Sequence, residues 1–253
     1  APIVPVVKKD GNIRVCIDYR GLNSKTIPRT FPVSRQEDLL ESVKGAVVFS
    51  VIDLKEAYYH IAMKSEDRHK TAFVIGNKKY EWNRMPFGLS GAAYSLAAAL
   101  LQIFIDCEDF LGIYYDDSIM YSKSRSDHVD HLKVFFDKCL QYGLRVNLKK
   151  CQFMCEKVNF LGHVVDKDGI KPQPDKVADV LDFRTPSNVS EVKSFLGMAS
   201  FFRKFIPDFA KFAAPLFDLL KKGNKFIWSD ICSEGFEYIK EKLEPPALLV
   251  HPD

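Results

Sequence analysis

Three aspartates are the residues of this chain whose type and spacing could do chemistry. Asp53 follows an almost unbroken apolar run, Ala46-Val-Val-Phe-Ser-Val-Ile52, and Asp116-Asp117 sit together between two apolar segments. A carboxylate in apolar surroundings is costly unless a cation or a proton neutralises it. Two adjacent carboxylates raise that cost through mutual repulsion. A pair of divalent cations relieves both. Magnesium takes oxygen ligands from one or two carboxylates plus phosphates. Two such ions about 3.5–4 Å apart stabilise the attacking and leaving oxygens of an in-line phosphoryl displacement. Tyr-x-Asp-Asp alone is ordinary turn chemistry. A strand-end aspartate, then a buried helix, then a strand–Asp-Asp–strand hairpin is far more specific.

The elements that must position these groups can be read from the pattern. Ala46–Ile52 is short and β-branched, a strand buried on both faces with Asp53 at its end. Phe110–Tyr115 and Ser118–Ser122 form a hairpin with Asp116-Asp117 at the tip. Between them, residues 90–105 are small and apolar nearly all round, which predicts a buried helix. A first hairpin runs from Val4 through Asp10-Gly11 to Tyr19, with Ile13, Val15, Ile17 and Tyr19 on its buried face. Ser34 and Glu37 form a capping box before Leu39 and Leu40. A second hairpin spans Thr71–Trp82. The helix from Asp127 to Tyr142 carries Val129, Leu132, Phe136, Cys139 and Leu140 as its apolar stripe, and Gly143 ends it. His128 and His131 fall on its surface. Phe160–His163 and Asp168-Gly169 mark another hairpin, and from Val189 the chain is mostly helical, broken at Pro207, Pro215 and Pro245-Pro246. Phe195, Leu196, Met198, Ala199, Phe202, Phe205 and Ile206 read there as core. The fold class is α+β with a mostly helical C-terminal part.

The chain has 253 residues, 47% hydrophobic and 27% charged, which suits a soluble globular protein with no membrane span. A net charge of +3 excludes a blanket electrostatic case for nucleic-acid binding. The charge is uneven, however. Residues 1–35 carry seven cations against two carboxylates, and residues 191–225 carry seven against three. Two such segments suit a protein that grips phosphates at its edges, and equally two solvated faces. The six cysteines are scattered, which favours a reduced intracellular setting over a disulfide framework. Cys151, Cys155 and His163 lack a fourth ligand and a C-x-x-C pair, so a zinc site has little support. Both ends of the chain read as cuts from something longer.

Several blocks closely resemble the reverse transcriptases of gypsy-type LTR retrotransposons. They are Val7-Lys-Lys-Asp-Gly, Arg14-Val-Cys-Ile-Asp-Tyr-Arg-Gly-Leu-Asn23, Ile52-Asp-Leu-Lys-Glu-Ala-Tyr58, Lys70-Thr-Ala-Phe73, Met85-Pro-Phe-Gly-Leu89 and Tyr114-Tyr-Asp-Asp117. Asn147-Leu-Lys-Lys-Cys-Gln-Phe153, Phe160-Leu-Gly-His163, Phe195-Leu-Gly197 and Phe205-Ile-Pro207 follow in family order. The resemblance implies a right-hand polymerase fold whose palm is an antiparallel sheet packed on helices. Fingers would take residues 1–43 and 62–95, the palm 44–61 and 96–167, and the thumb with the start of a linker 168–253. It implies RNA-directed DNA polymerase activity with two Mg2+ (or Mn2+) per active site. The expected partners are an RNA/DNA or DNA/DNA primer-template, dNTPs, and RNase H and integrase segments of one polyprotein. An intracellular, cytoplasmic place in a virus-like particle, with nuclear access, goes with these.

The resemblance also assigns roles. Asp53, Asp116 and Asp117 match the catalytic, metal-holding triad. Lys8 and Arg14 match fingertip cations that clamp the triphosphate. Tyr58 matches the sugar gate that excludes a 2′-hydroxyl, with Leu54 and Ala57 beside it in the nucleotide pocket. Phe87 and Gly88 match the floor of that pocket. Tyr114 and Tyr115 would touch primer and nucleotide respectively. Lys150, with Lys149 its rival, stands at the spacing of the lysine that protonates the leaving pyrophosphate. Phe160, Leu161 and Gly162 match the hairpin that positions the primer terminus, and Arg203, Lys204 and Lys211 are thumb cations suited to phosphate. Bland readings stand beside these: a core tyrosine for Tyr58, surface charge for the lysines, a solvated hairpin tip for Lys8 and Arg14.

The chain departs from the family at Gly91-Ala-Ala-Tyr-Ser-Leu-Ala97, where Asn-Ala-Pro-Ala-Thr-Phe-Gln is usual, and at Ala57, where Gly is usual. Ala93, Leu96 and Ala97 bear on template grip and processivity. An active polymerase is therefore one reading. A decayed or domesticated copy that binds nucleic acid without polymerising is the other, and no RNase H activity is expected of this chain.

Overall fold

Two short stretches rich in β-branched residues open the chain and pair antiparallel, β1 (Ile3–Val7) with β2 (Ile13–Ile17), placing Val6 opposite Arg14. In this computed structural model the described residues are 1–7, 11, 13–27, 33–221 and 223–244, with Arg14 described by its backbone alone. The expected buried face is only half realised: Ile17 and Tyr19 are 5% and 2% exposed, Ile13 and Val15 66% and 51%. The hairpin is a two-stranded sheet on its own, so only its base, against Phe73, is covered. The chain divides into two compact units, Ala1–Glu156 and Lys157–Asp253.

In the first unit, the short helix α1 (Arg20–Asn23) leads to α2 (Gln36–Ser42). Its cap is Arg35 without a side-chain hydrogen bond, so the Ser34 capping box does not form. Burial of Leu39 and Leu40 holds this helix instead. β3 (Val48–Asp53) follows, then 3-10 turns at Ala57–His60 and Ser65–Thr71, and the hairpin β4 (Phe73–Ile75) with β5 (Lys78–Tyr80). α3 (Ala92–Ile103) precedes β6 (Leu111–Tyr114) and β7 (Asp117–Ser122), which α4 (Arg125–Tyr142) and β8 (Gln152–Cys155) complete. The sheet order is β6-β7-β3-β8, antiparallel throughout.

Helices α3 and α4 bury one face of that sheet around Ile52, Leu96, Leu100, Met120 and Phe135. α3 is not buried all round, since Tyr94 and Ser95 face solvent. The stripe expected on α4 is rotated. His128, Phe135 and Cys139 point inward, whereas Val129 and Leu140 are 55% and 81% exposed. His128 is fully buried, a correction to its surface placement, and hydrogen-bonds Ser50 and Ser122 at 2.7 Å each. Ser50 and Ser122 alternate onto the helix-facing side of their strands, and the imidazole satisfies both there.

The second unit opens with a three-stranded meander, β9 (Lys157–Phe160), β10 (His163–Asp166) and β11 (Gly169–Pro172). Four helices follow: α5 (Pro174–Leu181), α6 (Val189–Phe201), α7 (Phe209–Asp218) and α8 (Asp230–Leu243). Pro174 starts α5, a helix that precedes the expected start of the helical region at Val189. Asn188 and Glu191 cap α6 reciprocally with Ser187. Of the expected stripe, Phe195, Leu196, Ala199, Phe202, Phe205 and Ile206 are core, whereas Met198 is only half-buried. Pro215 does not break α7: it sits inside the helix, whose Ala213 and Leu216 are fully buried. Helix α8 approaches α7 so closely that a Cβ at Gly235 would lie 2.2 Å from the Phe212 carbonyl oxygen. All six cysteines carry free thiols.

Candidate active site

The register of the central sheet brings the acidic residues together. Asp53, last in β3, pairs directly with Asp117, first in β7, and Asp117 pairs with Tyr114 across the β6–β7 turn. Directly paired residues share a sheet face, so the two carboxylates emerge side by side. The turn itself is Tyr115-Asp116, with Tyr115 held at φ 56°. A two-residue hairpin turn demands such a positive φ, and here a tyrosine supplies it beside an aspartate.

The electrostatics match this geometry. Asp117 is held above the usual carboxylate range by desolvation first, then by the charges of Asp116 and Asp53, with Lys150 opposing. Asp117 keeps one side open to solvent, so the sheet beneath it supplies the desolvation and the neighbouring carboxylates add to it. Lys150 Nζ lies 3.5 Å from Asp53 Oδ2, which singles it out from Lys149. The carboxylates supply the hard oxygen donors that magnesium and manganese prefer. Among the described residues no three His, Cys, Asp or Glu side chains form a ready metal cage. The remaining ligands of any ion held here would be phosphate oxygens and water.

Backbone ties fix Asp53 from the far side. Its carbonyl accepts from Asn147 N–H at 2.8 Å, and its N–H meets Cys151 Sγ at 3.3 Å. Cys151 thus supports the strand end rather than a zinc site. The Leu54 and Ala57 side chains are buried in the core, so only their backbone can face a ligand. Tyr58 is half-buried, its ring edge-on to Phe87 with centroids 5.1 Å apart, and its hydroxyl is raised above the ordinary tyrosine value by burial and then by the Asp116 charge. It is therefore close to the carboxylates and not simply a core tyrosine. Gly88 is exposed, and its carbonyl accepts from Asn23 Nδ2 at 2.8 Å, while Asn23 Oδ1 accepts from Ser90 N–H at 2.9 Å. Tyr115 shares a hydrogen bond with Tyr94, which raises its hydroxyl, and lies against Tyr114 and Tyr94 at 4.9 and 5.7 Å.

Lys8 and the Arg14 side chain lie outside the described residues. Phe160, Leu161 and Gly162 fall in the second unit, where Leu161 and Gly162, at φ 46° and 74°, form the tight turn between β9 and β10. A Cβ on Gly162 would sit 2.9 Å from the Phe201 ring, and His163 Nδ1 donates to the Leu161 carbonyl at 2.8 Å. Arg203 and Lys204 are exposed on the 3-10 turn Arg203–Phe205 of that unit, and Lys211 is exposed on α7. The motifs gave no role to Asn23, His60, Asn147 or Cys151. Three of these, Asn23, Asn147 and Cys151, lie inside motif blocks, and that was the only available sign.

An antiparallel sheet that sets strand-end aspartates side by side, next to a half-buried tyrosine and a lysine, defines a polymerase palm as the class. The family is narrower. Residues 6–165 match the family described as "Reverse transcriptase (RNA-dependent DNA polymerase)", and the chain belongs to it. All of the chain is 34% identical to the Transposon Tf2-3 and Tf2-7 polyproteins of Schizosaccharomyces pombe, spanning 19% of each. Among solved structures, all of it superposes on a foamy viral protease-reverse transcriptase in complex with double-stranded DNA, with TM-score 0.91, 26% identity and 45% of that chain covered. The same enzyme with an RNA/DNA hybrid gives TM-score 0.84 at 25% identity, over 34% of that chain. The gypsy-type resemblance and the right-hand polymerase fold are thereby borne out. No helix among the described residues is long and apolar enough to cross a membrane.

Proposed function

We propose that this chain copies a primed RNA or DNA template, joining dNTPs to a primer 3′-hydroxyl, with Asp53, Asp116 and Asp117 holding two Mg2+ or Mn2+ ions. The observation that carries this is the Asp53–Asp117 register pair with Asp116 on the adjoining turn and Lys150 beside Asp53. Bound divalent ions would supply charge neutralisation at the phosphates and a lowered pKa for the attacking hydroxyl. The protein's own groups do the rest. Lys150 stands where it can protonate the pyrophosphate that leaves. Tyr58, backed by Phe87, presents a rigid ring that leaves no room beneath a ribose for a 2′-hydroxyl. Phe87 and Gly88, clipped by Asn23, floor the nucleotide pocket, and Tyr115 flanks it. Lys8 and Arg14 would clamp the triphosphate. Tyr114 would touch the primer, and in the second unit Phe160, Leu161 and Gly162 would position its end while Arg203, Lys204 and Lys211 meet phosphates.

Leu96 and Ala97, two departures from the family, are 0% exposed. Both are core residues, and they leave the Asp53–Asp117 pair in place. RNase H and integrase segments of one polyprotein, and a virus-like particle, are the setting we infer from the polyprotein relatives. Primer extension on poly(rA)·oligo(dT) with magnesium or manganese tests the reading. Extension by the parent chain and its loss in Asp116→Asn are expected; a parent that binds primer-template but adds no nucleotide would overturn it.

A further inference from the structure

The segment between Asp53 and the Phe87 loop is held at a junction, and one side chain closes it. The 3-10 turn Ala57–His60 carries Tyr58, and Glu56 enters it at φ 53°. A non-glycine residue in that region is strained and persists only when its surroundings hold it. On one side of the turn, Asn83–Met85 bonds Ile61–Met63 through Met63 N–H to Asn83 O at 3.0 Å and Met85 N–H to Ile61 O at 2.9 Å. Arg84 Nη1 also donates to the His60 carbonyl at 3.0 Å. On the other side, the Arg145 carbonyl accepts from Lys55 N–H at 2.7 Å, and Leu54 bridges Val146.

The imidazole of His60 joins these parts. Its Nε2 accepts the Arg145 backbone N–H at 2.9 Å, and its Nδ1 donates to the Ala57 carbonyl at 3.0 Å. Only a neutral ring with its proton on Nδ1 can do both. Burial keeps the ring below the ordinary histidine value, helped by the Arg145 and Arg84 charges, against the Ala57 bond and Glu56. Beyond Arg145 the same segment runs to Asn147, which bonds Asp53, and to Lys150.

We propose that His60 is a positioning residue for nucleotide selection: it locks the Tyr58 turn onto the Arg145–Lys150 segment, so that the ring beneath the sugar and the groups around Asp53 hold one register. The inference rests on the polymerase reading above. It differs from a packing role because it depends on one acceptor at one position. Glutamine can place an oxygen where Nε2 stands and accept from Arg145. Asparagine can replace Nδ1 towards Ala57 but is too short to reach Arg145.

The test compares His60→Gln and His60→Asn with the parent. His60→Asn should raise KM for dNTP about tenfold, as expected for one lost hydrogen bond, and narrow the dNTP/rNTP preference. His60→Gln should stay within about twofold of the parent at a similar melting temperature. Equal losses in both variants, or a fall in kcat at unchanged KM, would overturn the proposal. Hydrogen exchange at the Arg145 amide reads the clasp without turnover. Protection kept in Gln and lost in Asn supports it, and equal protection in all three proteins sinks it. A parent that extends no primer refutes the polymerase reading, while the Arg145 amide still decides the clasp.

Discussion

Tyr58 shows what one residue contributes. Its ring is fixed edge-on to Phe87, Phe87 in turn meets Tyr59 at 5.6 Å, and Tyr59 stacks on Trp82 at 5.4 Å. Aromatic rings with such neighbours resist displacement, which is what a steric gate needs. Replacing Tyr58 with Val removes the ring without adding a polar group. Ribonucleotide incorporation by that variant should rise about ten- to a hundredfold relative to deoxynucleotide, a range typical of pocket sterics. Competition between dNTP and rNTP in primer extension measures it, and an unchanged preference would return Tyr58 to the core. The residue type and its spacing from Asp53 were legible in the sequence. Its nearness to Asp116 was not, because 58 residues separate them and only the β3–β7 pairing brings them together.

At the scale of elements, α4 and the central sheet are joined by a buried polar link that periodicity misassigned. Val129 and Leu140 fit an apolar stripe, but the stripe that packs starts at His128, because Ser50 and Ser122 need a partner that can both donate and accept. His131 joins the same link through Ser122 at 2.8 Å. Burial, with His131 adding a little, pulls the His128 pKa down to about 4. The unfolded chain would protonate His128 near 6.5. At pH above both values the group is neutral in either state and costs nothing. As pH falls from about 6.5 towards 4, the unfolded state gains a proton that the folded state refuses, and stability drops. Between pH 6.5 and 5 that loss should be about 1.5 kcal/mol. Urea unfolding at both pH values should show it in the parent and not in His128→Gln. The strands themselves were easier to read than this helix. Strand alternation and the hairpin turns mark them locally, whereas the rotation of α4 depends on what the sheet presents to it.

For the molecule as a whole, a net charge of +3 leaves no general attraction for nucleic acid, so binding must come from local cations. In the second unit Arg203 and Lys204 sit exposed on a turn anchored by buried Phe205 and Ile206. Neutralising both with glutamine should weaken primer-template binding and reduce the slope of log K against log salt by about 1 to 2. Fluorescence anisotropy across a salt series measures this. An unchanged slope would make them ordinary surface charge.

Read alone, the sequence determined the strand-end aspartate, the Asp-Asp hairpin, the core stripe of the C-terminal helices and the reverse transcriptase family, because these are written in local alternation, helical spacing and contiguous motifs. Tertiary structure alone decided that Asp117 sits opposite Asp53, that Lys150 and not Lys149 meets it, that His128 is buried, and that His60 and Cys151 brace the site. Each of those depends on strand register or helix rotation. Both are set by how distant segments share one sheet, and no run of neighbouring residues encodes them.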